Sequence, residues 1–304
     1  MSFQSPADIA QALFEWESAQ CRQARRWGTI RGFPDALPPR PLTSPLHILW
    51  RDEHLVAVYK PAGWLVHRTG LDAGETRFVM QTLRDQLGQH VFPVHRLDKG
   101  TCGVLVMALH SDAARALSQA FEHGATHKRY LAMVRGWAPE AIEVDHALKP
   151  DDAPADAAVQ DAHTRFRRLA QLTLPEASDA RFATTRASLV EAIPTTGRRH
   201  QIRRHLKHLA HPIIGDATHG KGPLNRWWAE RLGLQRLWLH AWQLTVPHPL
   251  TGATMTFASG LQWPGVAGWR CGHLPADDAT APPGVDWQRL FARLPWHETP
   301  ISPP

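Results

Sequence analysis

The chain has 304 residues, of which 43% are hydrophobic and 20% are charged, and its formal net charge is +6. This composition supports a substantial core and excludes an intrinsically disordered chain. The excess of positive charge favours a polyanionic partner, with nucleic acid ahead of an anionic membrane. The three cysteines lie far apart and form no CxxC pair, which is typical of a reducing compartment. No stretch reaches the ~20 apolar residues of a membrane span and the N-terminus has no basic signal region, so we expect a cytoplasmic protein.

The two ends of the chain differ in composition from the region between them. Residues 1–44 are predicted to be an N-terminal extension, with a helix that ends near Trp27 and a proline-rich linker, GFPDALPPRPLTSP. Residues 45–272 are predicted to form one folded domain. Residues 273–304, rich in proline and alanine, are predicted to be a C-terminal tail.

The folded region contains more predicted strands than predicted helices. Helices are predicted at Thr76–Leu87, ended by Gly88, and from a cap at Ser111 to Gly124. Strands follow one another with few helices between them, which predicts an α+β fold on a largely antiparallel mixed sheet with flanking helices. The predicted strands are His54–Tyr59, Val104–Leu109, Lys128–Val134, 163–174, 184–193 and a hairpin of Leu237–Val246 with Thr254–Phe257.

The stretch HRLDKGTCG places the carboxylate of Asp98 between the cations Arg96 and Lys99. The charge pattern alone fits either a solvated turn residue with local ion pairs or a reactive carboxylate. Cys102 directly precedes a buried strand, where cysteine is commonly a small apolar residue, so we do not interpret it as a nucleophile.

The most basic stretch is TTGRRHQIRRHLKHLAHPIIGD, which contains five cations and no acid before its last residue. Ile202, Leu206 and Leu209 form one apolar stripe, which predicts a helix that begins near Thr196 and Gly197. Because like charges at helical spacing repel, the cluster favours an anionic partner over a solvated helix face. The five cations are Arg198, Arg199, Arg203, Arg204 and Lys207, of which Arg199, Arg203 and Lys207 are predicted to share a face.

Four histidines of this stretch are also candidate zinc ligands, and a zinc hydrolase is therefore a distant alternative. The chain has no HExxH motif, and the neighbouring arginines would repel a dication, so we expect no metal. It also has no GxGxxG or GxxxxGK[ST] motif, so we expect no nucleotide cofactor. The candidate ligands are His200, His205, His208 and His211.

Two aromatic features stand near cations. Tyr130, one of only two tyrosines, lies among basic residues in THKRYLAMVRGW, on the same strand face as Lys128. It fits either a core tyrosine or a platform for a stacked base. Trp227 and Trp228 lie beside arginines and are the tryptophans that we most expect to be exposed.

In this order, the motifs resemble those of the RluA-type pseudouridine synthases. The family pattern HRLDxxTSG matches residues 95–103, KxYxAxVxG matches 128–136, and TGRxHQIRxH matches 196–205. The pattern DExLVAVxKPxGWLVH matches residues 52–67, and LHA followed by HP matches 239–241 and 248–249. Cys102 replaces the usual serine, for which we expect a small effect on packing and a weaker hydrogen bond. The resemblance covers about residues 46–270 and implies the pseudouridine synthase catalytic fold with a central RNA-binding cleft.

The resemblance also implies an activity and residue roles. The activity is isomerisation of a uridine in RNA without a cofactor, by Asp98 after the base leaves the stack. Arg203 would pair with Asp98 and favour its charged form, and Tyr130 would stack on the target base. Arg96 would fill the space left by the flipped nucleotide, and Leu239 would line the uracil pocket. On charge alone, Arg198, Arg199, Arg204 and Lys207 are assigned to RNA phosphates.

The substrate is predicted from finer details of the resemblance. The stretches MQTLRDQLGQHVF and GLQRLWLHA are most similar to the branch of the family that acts on tRNA, which implies uridine 65 of tRNA as the target. We expect a monomer. A ribosomal RNA substrate and a non-catalytic RNA-binding protein on the same fold remain alternatives.

Overall fold

The computed structural model describes residues 45–68, 74–150, 154, 157–261 and 284–298. The predicted N-terminal helix and linker lie outside these residues. In the described part of the chain, no helix has both the length and the apolar character needed to span a bilayer.

One mixed sheet organises the described residues. Its main path runs in the order β1-β2-β4-β9-β5-β8-β7-β11, and β3, β6 and β10 pair with β4, β7 and β9. All pairings are antiparallel except that of β4 with β9, so the predicted largely antiparallel mixed sheet is confirmed. The strands are β1 (Ile48–Arg51), β2 (Leu55–Lys60), β3 (Phe92–Pro93), β4 (Cys102–Ala108), β5 (His127–Arg135), β6 (Ala141–Asp145), β7 (His163–Leu174), β8 (Thr185–Pro194), β9 (Leu239–Pro247), β10 (Thr254–Ala258) and β11 (His297–Glu298).

Helices flank this sheet, and three of their starts differ from prediction. The first begins at Val79 and not at Thr76. The second helix is capped by His110, whose ring accepts a hydrogen bond from the amide of Ala113, and not by Ser111. The third begins at Gln201 and not near Thr196, because the Gln201 side chain accepts hydrogen bonds from the Thr196 hydroxyl and the Arg198 amide and holds them in a turn. The described helices are α1 (Val79–Leu87), α2 (Ser111–Glu122), α3 (Gln201–His208), α4 (Gly222–Leu232) and α5 (Val285–Arg293).

The parallel pairing of β4 with β9 requires a close approach of two backbones. Gly103, with φ of +112°, lies against Ala241, and a Cβ on Gly103 would be 2.1 Å from the Ala241 carbonyl oxygen. Only glycine adopts this conformation and leaves this space. The pairing places the loop before β4, which carries Asp98, beside β9, and β5 with Tyr130 lies on the other side of β9.

Helices α4 and α5, in the C-terminal half of the chain, contribute tryptophan side chains to the core. Residues 285–298, inside the predicted tail, form α5 and β11, and Trp287 of α5 is fully buried against the sheet. The expected exposure of Trp228 is wrong, because its ring points into the same core and is 1% exposed. Trp227 is partly buried and lies under the guanidinium of Arg231.

Candidate active site

Asp98 lies in the loop between β3 and β4, and this loop is anchored on both sides. His95 accepts a hydrogen bond on Nε2 from the Val106 amide at 3.0 Å and stacks on Phe121. Burial, helped by the charge of Lys128, lowers the pKa of His95 to about 3. The neutral ring is therefore a stable acceptor that fixes the start of the loop.

Lys60, at the end of β2, holds the other side of the loop. Its fully buried ammonium donates hydrogen bonds to the carbonyl oxygens of Pro61, Lys99 and Thr101 at 3.1, 3.1 and 2.7 Å. Burial lowers the pKa of Lys60 to about 7, against the opposing effects of Cys102 and Asp98. Lys60 was not among the predicted site residues. What indicates it in the sequence is its place in the KPxGW segment, which matches the family pattern.

Arg203 connects two carboxylates. Its Nη1 donates to Oδ2 of Asp98 at 2.9 Å, while Nε and Nη2 donate to the two oxygens of Asp216 at 2.7 and 2.8 Å. Asp216 is 1% exposed and also accepts the backbone amides of Thr218 and His219. Burial opposes its ionisation, but these hydrogen bonds outweigh burial and lower the pKa of Asp216. Asp216 therefore holds the guanidinium in the plane that reaches Asp98.

Asp216 was not predicted as a site residue, although its position in the sequence indicates a role as a counter-ion. It is the first acid after the run of five cations. A lone acid after such a run is a natural counter-ion, but only the structure shows that its partner is Arg203.

Tyr130 lies on β5 between two parts of the core, with its ring partly buried. Burial, and then the negative charge of Asp98, raise the pKa of Tyr130 well above its usual value. Its hydroxyl therefore stays protonated at neutral pH and is able to donate a hydrogen bond. Lys128 donates to the Thr196 carbonyl at 3.1 Å, and burial together with Arg198 lowers its pKa to about 8.

The predicted phosphate-binding cations do not form one uniform face. Arg203 is buried and points toward Asp98, whereas Lys207, one turn later on α3, is exposed. Arg199 precedes α3, so the prediction that it shares a helix face with these two residues is wrong. Arg198 and Arg204 donate to the carbonyl oxygens of Asp161 and Lys149 at 2.9 and 2.6 Å. Arg96 and Arg199 are exposed.

Leu239 is 3% exposed, at the start of β9. It packs in the same core cluster as Leu237 and the ring of Tyr130. It is therefore part of the core on which the ring of Tyr130 rests.

The four histidines proposed as alternative zinc ligands have different environments. His205 contacts the Thr164 hydroxyl, His208 stacks on His146, and His211 contacts the Arg135 carbonyl. His200 lies with Nε2 at 3.9 Å from Oδ2 of Asp98. Among the residues that the structure describes, no three histidine, cysteine, aspartate or glutamate side chains group as metal ligands.

Cys102 lies behind the Asp98 loop, in a polar contact that the sequence analysis did not expect. Its Sγ accepts a hydrogen bond from Nη2 of Arg236 at 2.8 Å and lies 3.1 Å from Nδ1 of His240. Burial would raise the pKa of Cys102, but Arg236 and His240 lower it to about 5. The side chain therefore lies in a polar contact with a cation, and not in an apolar environment as expected, because Arg236 reaches it from the segment before β9.

Comparison with known proteins shows which family the chain belongs to. The family described as RNA pseudouridylate synthase matches residues 54–208. A curated tRNA pseudouridine synthase C of Vibrio cholerae is 50% identical over 237 residues, which cover 74% of this chain and 97% of the relative. The protein of the same name from Yersinia pestis is 51% identical over 221 residues, which cover 70% of this chain and 86% of the relative.

Solved structures support the fold. Human RNA pseudouridylate synthase domain containing 4 aligns with a TM-score of 0.54 and 27% identity, over 71% of this chain and 88% of that one. Human RNA pseudouridylate synthase domain containing 1 aligns with a TM-score of 0.57 and 23% identity, over 73% of this chain and 85% of that one. The family match over half of the chain, together with relatives about 50% identical, shows that the chain belongs to the RNA pseudouridylate synthase family and is an RNA pseudouridine synthase, an isomerase.

Proposed function

We propose that this enzyme converts a uridine of tRNA, at position 65, to pseudouridine, and that Asp98 is the reactive group. The observation that carries the role of Asp98 is its contact with Arg203, a guanidinium that the buried Asp216 holds in place. The tRNA substrate is supported by the curated relatives, which are named tRNA pseudouridine synthase C.

The reaction needs one well-placed carboxylate and no imported group. The N1–C1′ bond breaks, the uracil turns, C5 bonds to C1′, the C5 proton leaves and N1 gains a proton. Atoms and electrons balance within the nucleotide and water, so no cofactor takes part. A carboxylate acts in such a reaction as nucleophile or base, and Asp98 is partly exposed and oriented by Arg203.

The residues around Asp98 fit a flipped uridine. The ring of Tyr130 offers a flat surface for the base, and its protonated hydroxyl offers a donor. Arg96 is exposed two residues before Asp98, where it would occupy the gap left in the RNA stack. Leu239 would support the base from below, and Arg198, Arg199, Arg204 and Lys207 would contact phosphates around the cleft.

Pseudouridine mapping tests the substrate. In a strain that lacks this gene, pseudouridine at position 65 of tRNA should disappear and return with the wild-type gene but not with Asp98→Asn. Loss of pseudouridine from ribosomal RNA, with tRNA unchanged, would contradict the proposal and favour the ribosomal alternative. Release of tritium from 5-tritiated uridine in tRNA distinguishes an enzyme from a protein that only binds RNA.

A further inference from the structure

A closed ring of contacts is formed by five residues, Asp98, Arg203, Asp216, His219 and His200, in which His219 contacts Asp216 through its backbone amide. Arg203 joins Asp98 to Asp216, and Oδ1 of Asp216 accepts the backbone amide of His219 at 2.9 Å. Nε2 of His219 lies 3.2 Å from Nδ1 of His200, and Nε2 of His200 lies 3.9 Å from Oδ2 of Asp98. The two imidazoles are therefore in hydrogen-bond contact with each other, and that of His200 lies 3.9 Å from the carboxylate.

The backbone at His200 is unusual. Its φ of +55° is in the left-handed region, which residues other than glycine seldom adopt, although asparagine, aspartate and histidine adopt it more often than the rest. His200 is the residue before the first turn of α3, and this conformation accompanies a side chain that is 16% exposed and directed at Asp98. An uncommon backbone conformation at a candidate active site is consistent with a functional constraint.

The ring contains two acidic side chains and one guanidinium. Asp98 and Asp216 are two carboxylates, and Arg203 supplies one positive charge between them. Lys60 acts on Asp98 from the opposite side of the loop, but its three hydrogen bonds go to backbone carbonyls. The other charged residues on the segments that carry these groups are all cations, namely Arg96, Lys99, Arg198, Arg199, Arg204, Lys207 and Lys221.

We propose that His200 is a positioning residue of the reaction, which together with His219 carries a proton between Asp98 and solvent. The inference rests on the proposed function of Asp98. After C5 has bonded to C1′, the C5–H bond breaks, its electron pair restores the ring double bond, and Asp98 takes the proton. The proton passes to Nε2 of His200, while the Nδ1 proton of His200 moves to Nε2 of His219 and one leaves His219 for water. N1, which holds the electron pair of the broken N1–C1′ bond, takes a proton from water.

The distance of 3.9 Å exceeds that of a hydrogen bond, so the transfer requires His200 and Asp98 to approach by about 1 Å when RNA binds. Such shortening is common, because catalytic hydrogen bonds are frequently long before substrate is present. The partly buried His219 leads from this contact toward the surface.

The substitution His200→Asn tests the inference, because asparagine tolerates the left-handed conformation and removes the imidazole. Under single-turnover conditions with saturating enzyme, we expect His200→Asn to slow pseudouridine formation about 10- to 100-fold, with the Kd for tRNA changed less than about threefold. Added imidazole should restore part of the rate, and the pH dependence of the rate between about pH 5 and 8 should change. His219→Asn should give a smaller loss in the same direction. His208→Asn, an exposed histidine on α3, is the matched control and should leave the rate unchanged.

The results of this experiment distinguish a failure of this inference from a failure of the proposed function. A normal rate and pH profile for His200→Asn, with Asp98→Asn inactive, would overturn the role of His200 and leave that of Asp98 intact. A slow His200→Asn enzyme that imidazole does not rescue, with an unchanged pH profile, would also overturn it, since this result indicates a structural effect. Lack of pseudouridine formation by the wild-type enzyme on tRNA would instead contradict the proposed function.

Discussion

Nη1 of Arg203 lies 2.9 Å from Oδ2 of Asp98, although 105 residues separate the two in the chain. The contact joins the loop before β4 to the first turn of α3. Asp216 accepts hydrogen bonds from the other edge of the guanidinium. The position of the Asp98 carboxylate therefore depends on Asp216, which is itself buried away from the surface. The contact of Arg203 with Asp216 is bidentate, and it fixes the plane of the guanidinium in a way that a lysine ammonium does not allow.

Asp98→Asn should abolish pseudouridine formation and leave binding of tRNA within about tenfold, since the amide has the same shape but neither attacks nor takes a proton. Tritium release from 5-tritiated uridine in tRNA measures the first effect, and a filter-binding titration measures the second. Asp112→Asn, at an exposed position on α2, is the matched control. Retained tritium release by Asp98→Asn would rule out the proposed role.

Asp216 should make the protein sensitive to acid. Its pKa in the folded protein is below the ordinary value of 3.8, so its stabilising effect is complete above that value and is lost as the pH falls through the lowered pKa. Asp216→Asn should lower the free energy of unfolding at pH 7 by about 3 kcal/mol, since it leaves Arg203 short of a partner. It should also make that free energy less dependent on pH below about 4. Urea unfolding at several pH values checks this, and equal slopes for both proteins would contradict it.

The sequence predicted most strands and the contact of Arg203 with Asp98, but not the contacts that hold these two residues in place. A continuous apolar run predicted β4, whose residues are all buried, and β2 is buried throughout in the same way. The long strand β7 instead alternates between buried and more exposed residues along most of its length. The start of α3 was misplaced, because a side chain of the helix itself, Gln201, stabilises the turn before it. Lys60 and Asp216 were missed for a related reason, since their roles come from carbonyls and a guanidinium that are distant in the chain. Helix α4 has no clean apolar stripe and was not predicted.

Tyr130→Phe should keep binding of tRNA within about threefold and lower the single-turnover rate by at least about tenfold. The phenylalanine ring still stacks on a base, whereas the hydroxyl, which stays protonated beside Asp98, is lost. Phe92→Leu, a conservative change on β3, controls for general packing effects. An unchanged rate for Tyr130→Phe would leave the tyrosine with a packing role only.

Binding of tRNA should weaken steeply with salt, because each phosphate that a cation neutralises releases counter-ions. Lys207→Gln should weaken binding and reduce the slope of log Kd against log salt by about one, if this exposed lysine of α3 contacts a phosphate. Arg115→Gln, on the exposed side of α2, should leave the slope unchanged. A slope for Lys207→Gln equal to that of the wild type would remove this residue from the interface.

Cys102 should make stability rise with pH across the neutral range. In the folded protein its pKa is about 5, against 9.0 for an ordinary thiol, so between these values the folded protein holds a thiolate and the unfolded chain holds a thiol. The contribution is therefore complete above pH 9, and it is lost as the pH falls toward 5. Cys102→Ser removes the thiolate, so the wild type should exceed this variant in free energy of unfolding by at least about 1 kcal/mol more at pH 8.5 than at pH 5.5.

Arg236→Gln provides an independent test of the same ion pair, because it removes the cation that favours the thiolate and keeps Cys102 itself. Urea unfolding at the two pH values should show a smaller rise in stability with pH for both variants than for the wild type. Lys128, whose lowered pKa also favours folding as the pH rises, remains in all three proteins, so its effect cancels in the differences. Cys102 and Arg236 both act on the pKa of Lys60, so the contribution of Lys60 changes with either variant. If the free energies of unfolding of the wild type and Cys102→Ser changed equally with pH, Cys102 would be a thiol in the folded protein. The site would then accept cysteine or serine on packing alone.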